Sequence, residues 1–190
     1  MVFISNGNGF SESWDVLLHG DCWSNNLMFR YDAITGKPAE VMFIDLQICQ
    51  EGDPFKDLNY SLYANTTQEL RKKHLSSLLH LYYDTFEQIC KRLDAPLPPG
   101  WCWDEFYRRF HRAQLFGVYV SAEALPMILQ NPDEVKDLNQ VKLSNEDGKV
   151  DADEDMKSVF TEMANVNISN PVMEKRLRGV LEDAVGAGII

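Results

Sequence analysis

A short predicted β-hairpin most constrains how this chain can fold. Leu27–Tyr31 (LMFRY) and Glu40–Ile44 (EVMFI) are apolar and aromatic runs of strand length. Asp32–Ala39, which separates them, carries the Asp, Gly and Pro of a turn. The sequence therefore predicts an antiparallel ribbon that brings the residues before the first strand close to those after the second.

Polar side chains flank the open end of this ribbon. If Tyr31 pairs with Glu40, Asn26 lies opposite Asp45. Facing Cβ atoms in an antiparallel ladder are roughly 5 Å apart. One small cation could therefore be held by both side chains.

A third oxygen-bearing side chain lies in His19-Gly20-Asp21, five residues before Asn26. A carboxylate here can accept a hydrogen bond from an attacking hydroxyl, while Asn26 and Asp45 offer hard oxygens to Mg²⁺. Gly-Asp pairs are also ordinary turn residues, so none of these positions is informative alone. Their convergence through one hairpin favours a phosphoryl-transfer site.

Composition limits the possible partners. The 190 residues are 45% hydrophobic, which suits one globular domain, and the net charge is −11. An acidic chain is a poor match for nucleic acid or an anionic membrane surface. No apolar run approaches the roughly 20 residues of a membrane span, and the first residues lack the features of a signal peptide.

The four cysteines form no C-x-x-C pair. Their scatter indicates reduced packing thiols of a cytoplasmic protein rather than a disulfide framework or a zinc site. They are Cys22, Cys49, Cys90 and Cys102.

Four segments are predicted along the chain. Residues 1–14 form a polar, glycine-rich flexible lead-in, and residues 15–130 form the main domain. Residues 131–155 form an acidic loop whose Asp-rich run is expected to be solvated, and residues 156–190 form the C-terminal helices. Within the main domain we predict a strand over Asp15–Leu18, a loop over Gln47–Lys56 and a short helix over Asp57–Ala64.

Three longer helices follow from apolar periodicity. The first begins near Thr66, with Thr66 or Thr67 as its N-cap, and ends at the proline cluster after Leu93. Glu69 lies three residues after Thr66, which is the spacing of a capping box. The second runs from an Asp104 N-cap to Leu125, because Pro126 follows. Their core faces are Leu75, Leu78, Leu79, Tyr82, Phe86, Ile89 and Leu93, and Phe106, Phe110, Ala113, Phe116 and Val120.

The third helix opens at Asn170-Pro171 and fades at Gly186 and Gly188. Its apolar residues are Leu177, Val180, Leu181 and Val185. The predicted fold class is therefore α+β and mainly α-helical, with one small β-hairpin at the candidate site.

Three sequence blocks resemble the ecdysteroid kinase-like family, also called CHK kinase-like proteins. They are VLLHGDCWSNNLMFRY, VMFIDLQ and GDPFKDLNY, which together fall within Val16–Tyr63. The family is related to aminoglycoside phosphotransferases and choline kinases. The resemblance implies the C-terminal lobe of a protein-kinase-like fold, with ATP and Mg²⁺ as cofactors.

The resemblance also implies a role for each matching residue. Asp21 would be the catalytic base, and Asn26 and Asp45 would be the metal ligands. His19 would brace the loop, and Asp57 would be a structural carboxylate that ties the loop to the lobe. Leu46 and Gln47 follow Asp45 where a protein kinase has Phe-Gly, which suits the small-molecule branch.

Several aromatic residues leave alternatives open. Trp23 could stack on a substrate, but packing is the preferred interpretation. Trp101, Trp103 and Tyr107 could line an apolar substrate cleft or simply pack in the core. The histidines at positions 74, 80 and 111 lie on predicted helices and are expected to be surface or core residues.

The resemblance implies a second lobe that the sequence does not match. Such a lobe supplies a glycine-rich loop and a strand lysine to the phosphates. Gly7-Asn8-Gly9 is a lone G-x-G, and the first lysine is Lys37. We therefore expect the chain to correspond to a truncated C-terminal lobe with poor turnover, whose uncovered surface favours self-association.

The leading hypothesis is an ATP- and Mg²⁺-dependent phosphotransferase acting on a hydroxyl of an ecdysteroid-like or other apolar alcohol. The alternative is a non-catalytic module that binds a small ligand or another protein through the uncovered face. Metal-dependent hydrolysis is disfavoured because it needs more ligands than the hairpin offers.

Overall fold

Four α-helices, one short 3₁₀ helix (Ser24–Asn26) and two small antiparallel sheets form the parts of the chain that the structure, a computed structural model, describes: residues 14–129 and 171–190. The strands are β1 (Val16–Leu18), β2 (Leu27–Tyr31), β3 (Pro38–Phe43) and β4 (Gln50–Gly52). The helices are α1 (Pro54–Asn65), α2 (Gln68–Arg92), α3 (Trp103–Ile128) and α4 (Pro171–Gly186). The prediction of a mainly helical fold with a small hairpin is confirmed. The predicted acidic loop, residues 131–155, lies outside the described residues.

The hairpin β2–β3 forms, but its predicted register is wrong by one residue. Arg30 faces Glu40, and the pairing is irregular beyond Arg30, where Tyr31 faces Pro38. An ion pair between Arg30 and Glu40 holds this register, with Nε and Oε2 2.8 Å apart. Asn26 is therefore opposite Ile44 rather than Asp45.

The turn of the hairpin explains the shift. Asp32 Oδ1 accepts hydrogen bonds from the backbone N–H groups of Ile34 and Thr35, at 3.1 and 2.7 Å. The Asp32 N–H donates to the Lys37 carbonyl. The turn, which the Asp32 side chain closes, is shorter than predicted. For this reason β3 starts at Pro38 and not at Glu40.

The region predicted as a loop, Gln47–Lys56, is partly ordered secondary structure. Gln50–Gly52 pairs with β1, and α1 begins at Pro54, three residues before the predicted start. Asp53 is the N-cap and accepts a hydrogen bond from Phe55 N at 2.9 Å, with Pro54 in the first helical turn. An Asp-Pro pair therefore starts a helix inside the range predicted as a loop.

The N-terminal end of α2 agrees with one of its two predicted caps, whereas α3 differs from the prediction at both ends. Thr67, rather than Thr66, accepts a hydrogen bond from Leu70 N, so Glu69 is not at the capping-box position. Cys102 rather than Asp104 precedes α3, without a side-chain cap. Pro126 lies inside α3, which continues to Ile128, because proline removes only one backbone bond near the end of the helix.

An aromatic cluster forms one part of the core, and Trp14 belongs to it. Trp14 is 2% exposed, contacts Phe55 and Trp101, and donates from its indole N–H to the Pro99 carbonyl at 2.9 Å. The prediction that residue 14 is part of a flexible lead-in is therefore wrong, whereas residues 1–13 lie outside the described part. Phe106 and Phe110 are fully buried in the same cluster, as predicted for the face of α3.

The predicted core face of α2 is only partly buried. Leu79 is 1% exposed, but Ile89 and Leu93 are 48% and 72% exposed. The helix therefore projects beyond the core at its C-terminal end. On α4, Val180 is buried as predicted, whereas Leu181 and Val185 are exposed.

Helices α1 and α3 cross closely enough to require a glycine. A Cβ on Gly117 would lie 2.8 Å from the Asn59 Cβ and 2.9 Å from Tyr63 Cδ2. Asn59 is fully buried beside it and donates to the Phe110 carbonyl at 3.2 Å. This crossing fixes α1, which carries Asp57, against the body of the fold.

Arg71 joins α2 to α4, and its removal should destabilise the fold. Its Nε donates to Asp183 Oδ2 at 2.8 Å and its Nη1 to the Thr66 carbonyl at 2.6 Å, while the side chain is 3% exposed. Arg71→Met should lower the free energy of unfolding by about 2–3 kcal/mol, because it leaves the mostly buried Asp183 carboxylate without its cation. Urea denaturation measures this change.

The matched control is Arg108→Met, which removes an exposed ion pair with Glu105 on α3. We expect it to change the free energy of unfolding by at most about 0.5 kcal/mol. Equal losses in the two variants would contradict the structural role of Arg71.

Candidate active site

The loop that follows β1 makes a sharp turn at Gly20. Its φ is +84°, a left-handed conformation that glycine adopts without steric cost. A Cβ at this position would lie 2.8 Å from the Ile48 carbonyl oxygen. The loop of Asp21 thus crosses the segment after Asp45 at van der Waals distance.

Asp57 on α1 holds the backbone of this loop. Its Oδ2 accepts from His19 N at 2.7 Å and its Oδ1 from Gly20 N at 3.1 Å. Both carboxylate oxygens are used, so the loop is tied to α1 by a bidentate contact. This contact corresponds to the structural role that the family resemblance implies for Asp57.

His19 links the loop to the end of β3. Its Nδ1 accepts a hydrogen bond from Asp21 N at 3.2 Å, which places the ring hydrogen of the neutral imidazole on Nε2. Nε2 then donates to the Ile44 carbonyl at 2.9 Å. Ile44, the residue before Asp45, is therefore hydrogen-bonded to His19, the residue before Gly20.

The carboxylate of Asp21 is oriented by two donors. The Tyr60 hydroxyl donates to Oδ1 and the Asn26 amide to Oδ2, each at 2.9 Å. Burial, and secondarily the Asp21 charge, raises the pKa of Tyr60, so the phenol stays protonated and remains a donor. Asp21 is half-buried and ionised oxygens keep further lone pairs, so it can still accept a bond from an incoming hydroxyl.

Tyr60 was not predicted from the sequence to be a site residue. It lies one helical turn after Asp57, so α1 presents both side chains to the same loop. That spacing was the available signal, but the role of Tyr60 depends on a contact across 39 residues of sequence.

Asn26 and Asp45 have the donor chemistry expected of magnesium ligands. The buried Asn26 amide nitrogen is bonded to Asp21, at the backbone oxygen and at Oδ2, which leaves the amide oxygen for another partner. Asp45 is exposed and has a φ of +62°, a conformation uncommon outside glycine that clusters at functional sites. Ile44 lies between them and donates its N–H to the Asn26 carbonyl at 3.0 Å.

Asn26 and Asp45 alone are too few ligands to complete a metal site. Within residues 14–129 and 171–190, no group of three or more His, Cys, Asp and Glu side chains is arranged to hold a metal. Mg²⁺ commonly uses one or two carboxylates together with waters and the phosphates of a substrate. One carboxylate and one amide therefore fit a cation that arrives with a nucleotide.

The other aromatic candidates lie in packed positions. Trp101 stacks against Tyr83 and Phe86, with ring centroids 4.9 and 4.6 Å apart, and donates to Glu87. Trp103 stacks on His80. The three candidate cleft residues Trp101, Trp103 and Tyr107 belong to this aromatic region, where Tyr107 is 47% exposed.

Trp23 and the remaining histidines also have packing or surface roles. Trp23 packs beside Cys22 and Tyr60. His111 contacts the Ala187 carbonyl at 3.0 Å, and His74 is exposed on α2.

Comparison with known families supports the resemblance seen in the sequence. The model of the ecdysteroid kinase-like family matches residues 7–95. These residues include the loop of Asp21, both sheets, α1 and α2. Neither the curated proteins nor the solved structures gave a match to the chain. In the described residues, no helix is both long and apolar enough to span a membrane.

Proposed function

We propose that this protein transfers a phosphoryl group from ATP to a hydroxyl of a small apolar alcohol, because the model of the ecdysteroid kinase-like family matches residues 7–95. The single observation that carries the proposal is the orientation of Asp21 by Tyr60 and Asn26. The predicted cytoplasmic location and an ecdysteroid-like acceptor belong to the same proposal.

In this mechanism Asp21 accepts the proton of the acceptor hydroxyl as the hydroxyl attacks. Tyr60 and Asn26 hold the carboxylate in one orientation, and Asp57 and His19 hold the loop. Such positioning supplies much of the catalysis of phosphoryl transfer. Asn26 and Asp45 would hold Mg²⁺, which when bound offsets the charge developing on the transferred group.

The proposal includes a second lobe that covers the hairpin. Phe29 and Val41, which face each other, are 47% and 55% exposed, and the neighbouring pair Met28 and Met42 is 54% and 57% exposed. Adjacent pairs point to opposite faces, so both faces of this ribbon are apolar and open. A two-stranded ribbon is marginal without cover, so turnover by the 190-residue chain by itself should be poor.

The proposal is tested by replacing Asp45. Asp45→Asn should weaken Mg²⁺-ATP binding by about tenfold, because the amide lacks the charge that attracts the cation. Asparagine also tolerates the left-handed backbone at this position, so the fold should be kept. Calorimetric titration with Mg²⁺-ATP measures the affinity, and a phosphate-transfer assay follows turnover.

Asp84→Asn is the matched control, because Asp84 is exposed on α2 away from the loop. The affinity of this control variant for Mg²⁺-ATP should equal that of the unsubstituted chain. Equal binding by the Asp45 variant would refute the metal assignment. Saturable ligand binding without any transfer, even when the second lobe is supplied, would favour the non-catalytic module.

A further inference from the structure

A cavity lies beside the candidate catalytic loop. Its volume is about 460 Å³, and its walls come from β1, the end of β3, the segment before β4 and the first turns of α1. Such a volume is in the range of roughly 300–1,000 Å³ that small-molecule sites occupy. Asp21 is not among the lining residues, although His19 and Cys22 on either side of it are.

The lining is mainly apolar. Its apolar side chains include Leu17, Leu18, Phe43, Leu46 and Leu58. Leu17 and Leu46 are 80% and 60% exposed, so an apolar occupant would remove hydrocarbon surface from water. The hydrophobic effect therefore favours filling this cavity.

Asp57, His19 and Ser61 in the wall already make hydrogen bonds within the protein. Both oxygens of Asp57 and both ring nitrogens of His19 take part in the loop contacts described above. Ser61 Oγ accepts from the Asn65 amide at 3.4 Å. Burial, then the charges of Asp57 and Asp53, raises the pKa of Tyr82 to about 12, so its phenol is neutral. Among the residues that the structure describes, no Lys or Arg lines the cavity, so an anion would find no countercharge here and Asp57 would repel it.

We propose that this cavity binds an uncharged, hydrocarbon-rich small molecule and that its occupancy is transmitted to Asp21 through His19 and Asp57. These two residues line the cavity and also hold the loop, so an occupant that packs against them restricts how the loop moves. The proposal goes beyond phosphoryl transfer, because binding requires neither nucleotide nor Mg²⁺.

Binding is tested on the 190-residue chain with the neutral fluorescent probe N-phenyl-1-naphthylamine. We expect saturable fluorescence enhancement that n-decanol reverses by competition. Leu17→Gln combined with Leu46→Gln should raise the probe dissociation constant about tenfold, which corresponds to roughly 1.4 kcal/mol. Leu81→Gln combined with Leu115→Gln is the matched control, because these leucines are 62% and 54% exposed and lie outside the cavity.

A thiol reaction provides a second, independent measurement. Cys49 lines the cavity and is partly exposed, whereas Cys102 is exposed elsewhere. Burial, and then Asp57, raises the pKa of Cys22, so Cys49 is the more reactive lining thiol. At about four times its dissociation constant, n-decanol should slow alkylation of Cys49 by N-ethylmaleimide about fivefold, through mass action, and leave Cys102 unchanged.

Hydrogen exchange tests the coupling to the loop. The amides of His19 and Gly20 should exchange more slowly when n-decanol is bound, and the amides at the C-terminal end of α2 should not change. The proposal is overturned if probe binding is not saturable, if the control pair weakens binding equally, or if Cys102 is protected as much as Cys49. Probe binding that falls as protein concentration rises would also overturn it, since a second copy would then be the occupant.

Discussion

Asp21→Asn should abolish phosphoryl transfer while leaving nucleotide binding largely intact. General-base assistance of this kind contributes roughly 10²–10⁴ in rate, and an amide cannot accept the proton of the attacking hydroxyl. The nucleotide should be unaffected because the proposed cation ligands are Asn26 and Asp45. Turnover and Mg²⁺-ATP affinity are measured on the same preparation, in a form of the protein that is active.

Asp84→Asn again serves as the control, because it makes the same chemical change at an exposed position of α2. It should retain full turnover. Near-normal turnover by the Asp21→Asn variant would show that Asp21 is not the catalytic base.

Asp57→Asn should lower both stability and kcat, although Asp57 touches neither proposed substrate. An asparagine offers one acceptor oxygen where two backbone N–H groups now bind, at 2.7 and 3.1 Å. The variant loses one of the two backbone hydrogen bonds, and its amide NH₂ group then faces a backbone N–H group, so that two donors meet. Together these changes should lower the free energy of unfolding by about 1–3 kcal/mol. Misplacement of the loop should reduce kcat about 10–100-fold with little change in the KM for ATP.

Asp53→Asn is a suitable comparison, because Asp53 is only four residues away and caps α1. Asparagine is an equally good N-cap, so stability and kcat should hardly change. If Asp57→Asn lowered stability but left kcat intact, Asp57 would be a fold residue without influence on the loop.

Much of the local structure could be predicted because it depends on neighbouring residues. Apolar runs and the turn residues at Asp32 and Gly36 were sufficient for the hairpin, and apolar periodicity located α2, α3 and α4. The register could not be obtained in the same way. It depends on how the Asp32 side chain closes the turn and on the cross-strand pair of Arg30 and Glu40, and a one-residue shift in register alters every pairing.

The candidate site also combines features that neighbouring residues predict with features that depend on distant contacts. The residue types at positions 21, 26 and 45 were sufficient to suggest a chemistry, and the family match over residues 7–95 agrees with that suggestion. The sequence could not reveal Tyr60 as a partner of Asp21, because that bond joins distant parts of the chain. Nor could it show that Trp14 is buried, since a tryptophan next to a glycine-rich stretch has no local partner to indicate its depth.

The crossing at Gly20 limits how this site can diversify. Any side chain at that position would collide with the Ile48 carbonyl oxygen at 2.8 Å and push apart the segments that carry Asp21 and Asp45. Related proteins that acquire new acceptors should therefore change the walls that surround the acceptor and keep this contact. We expect a library of variants selected for altered acceptor preference to retain glycine here, whatever else it replaces.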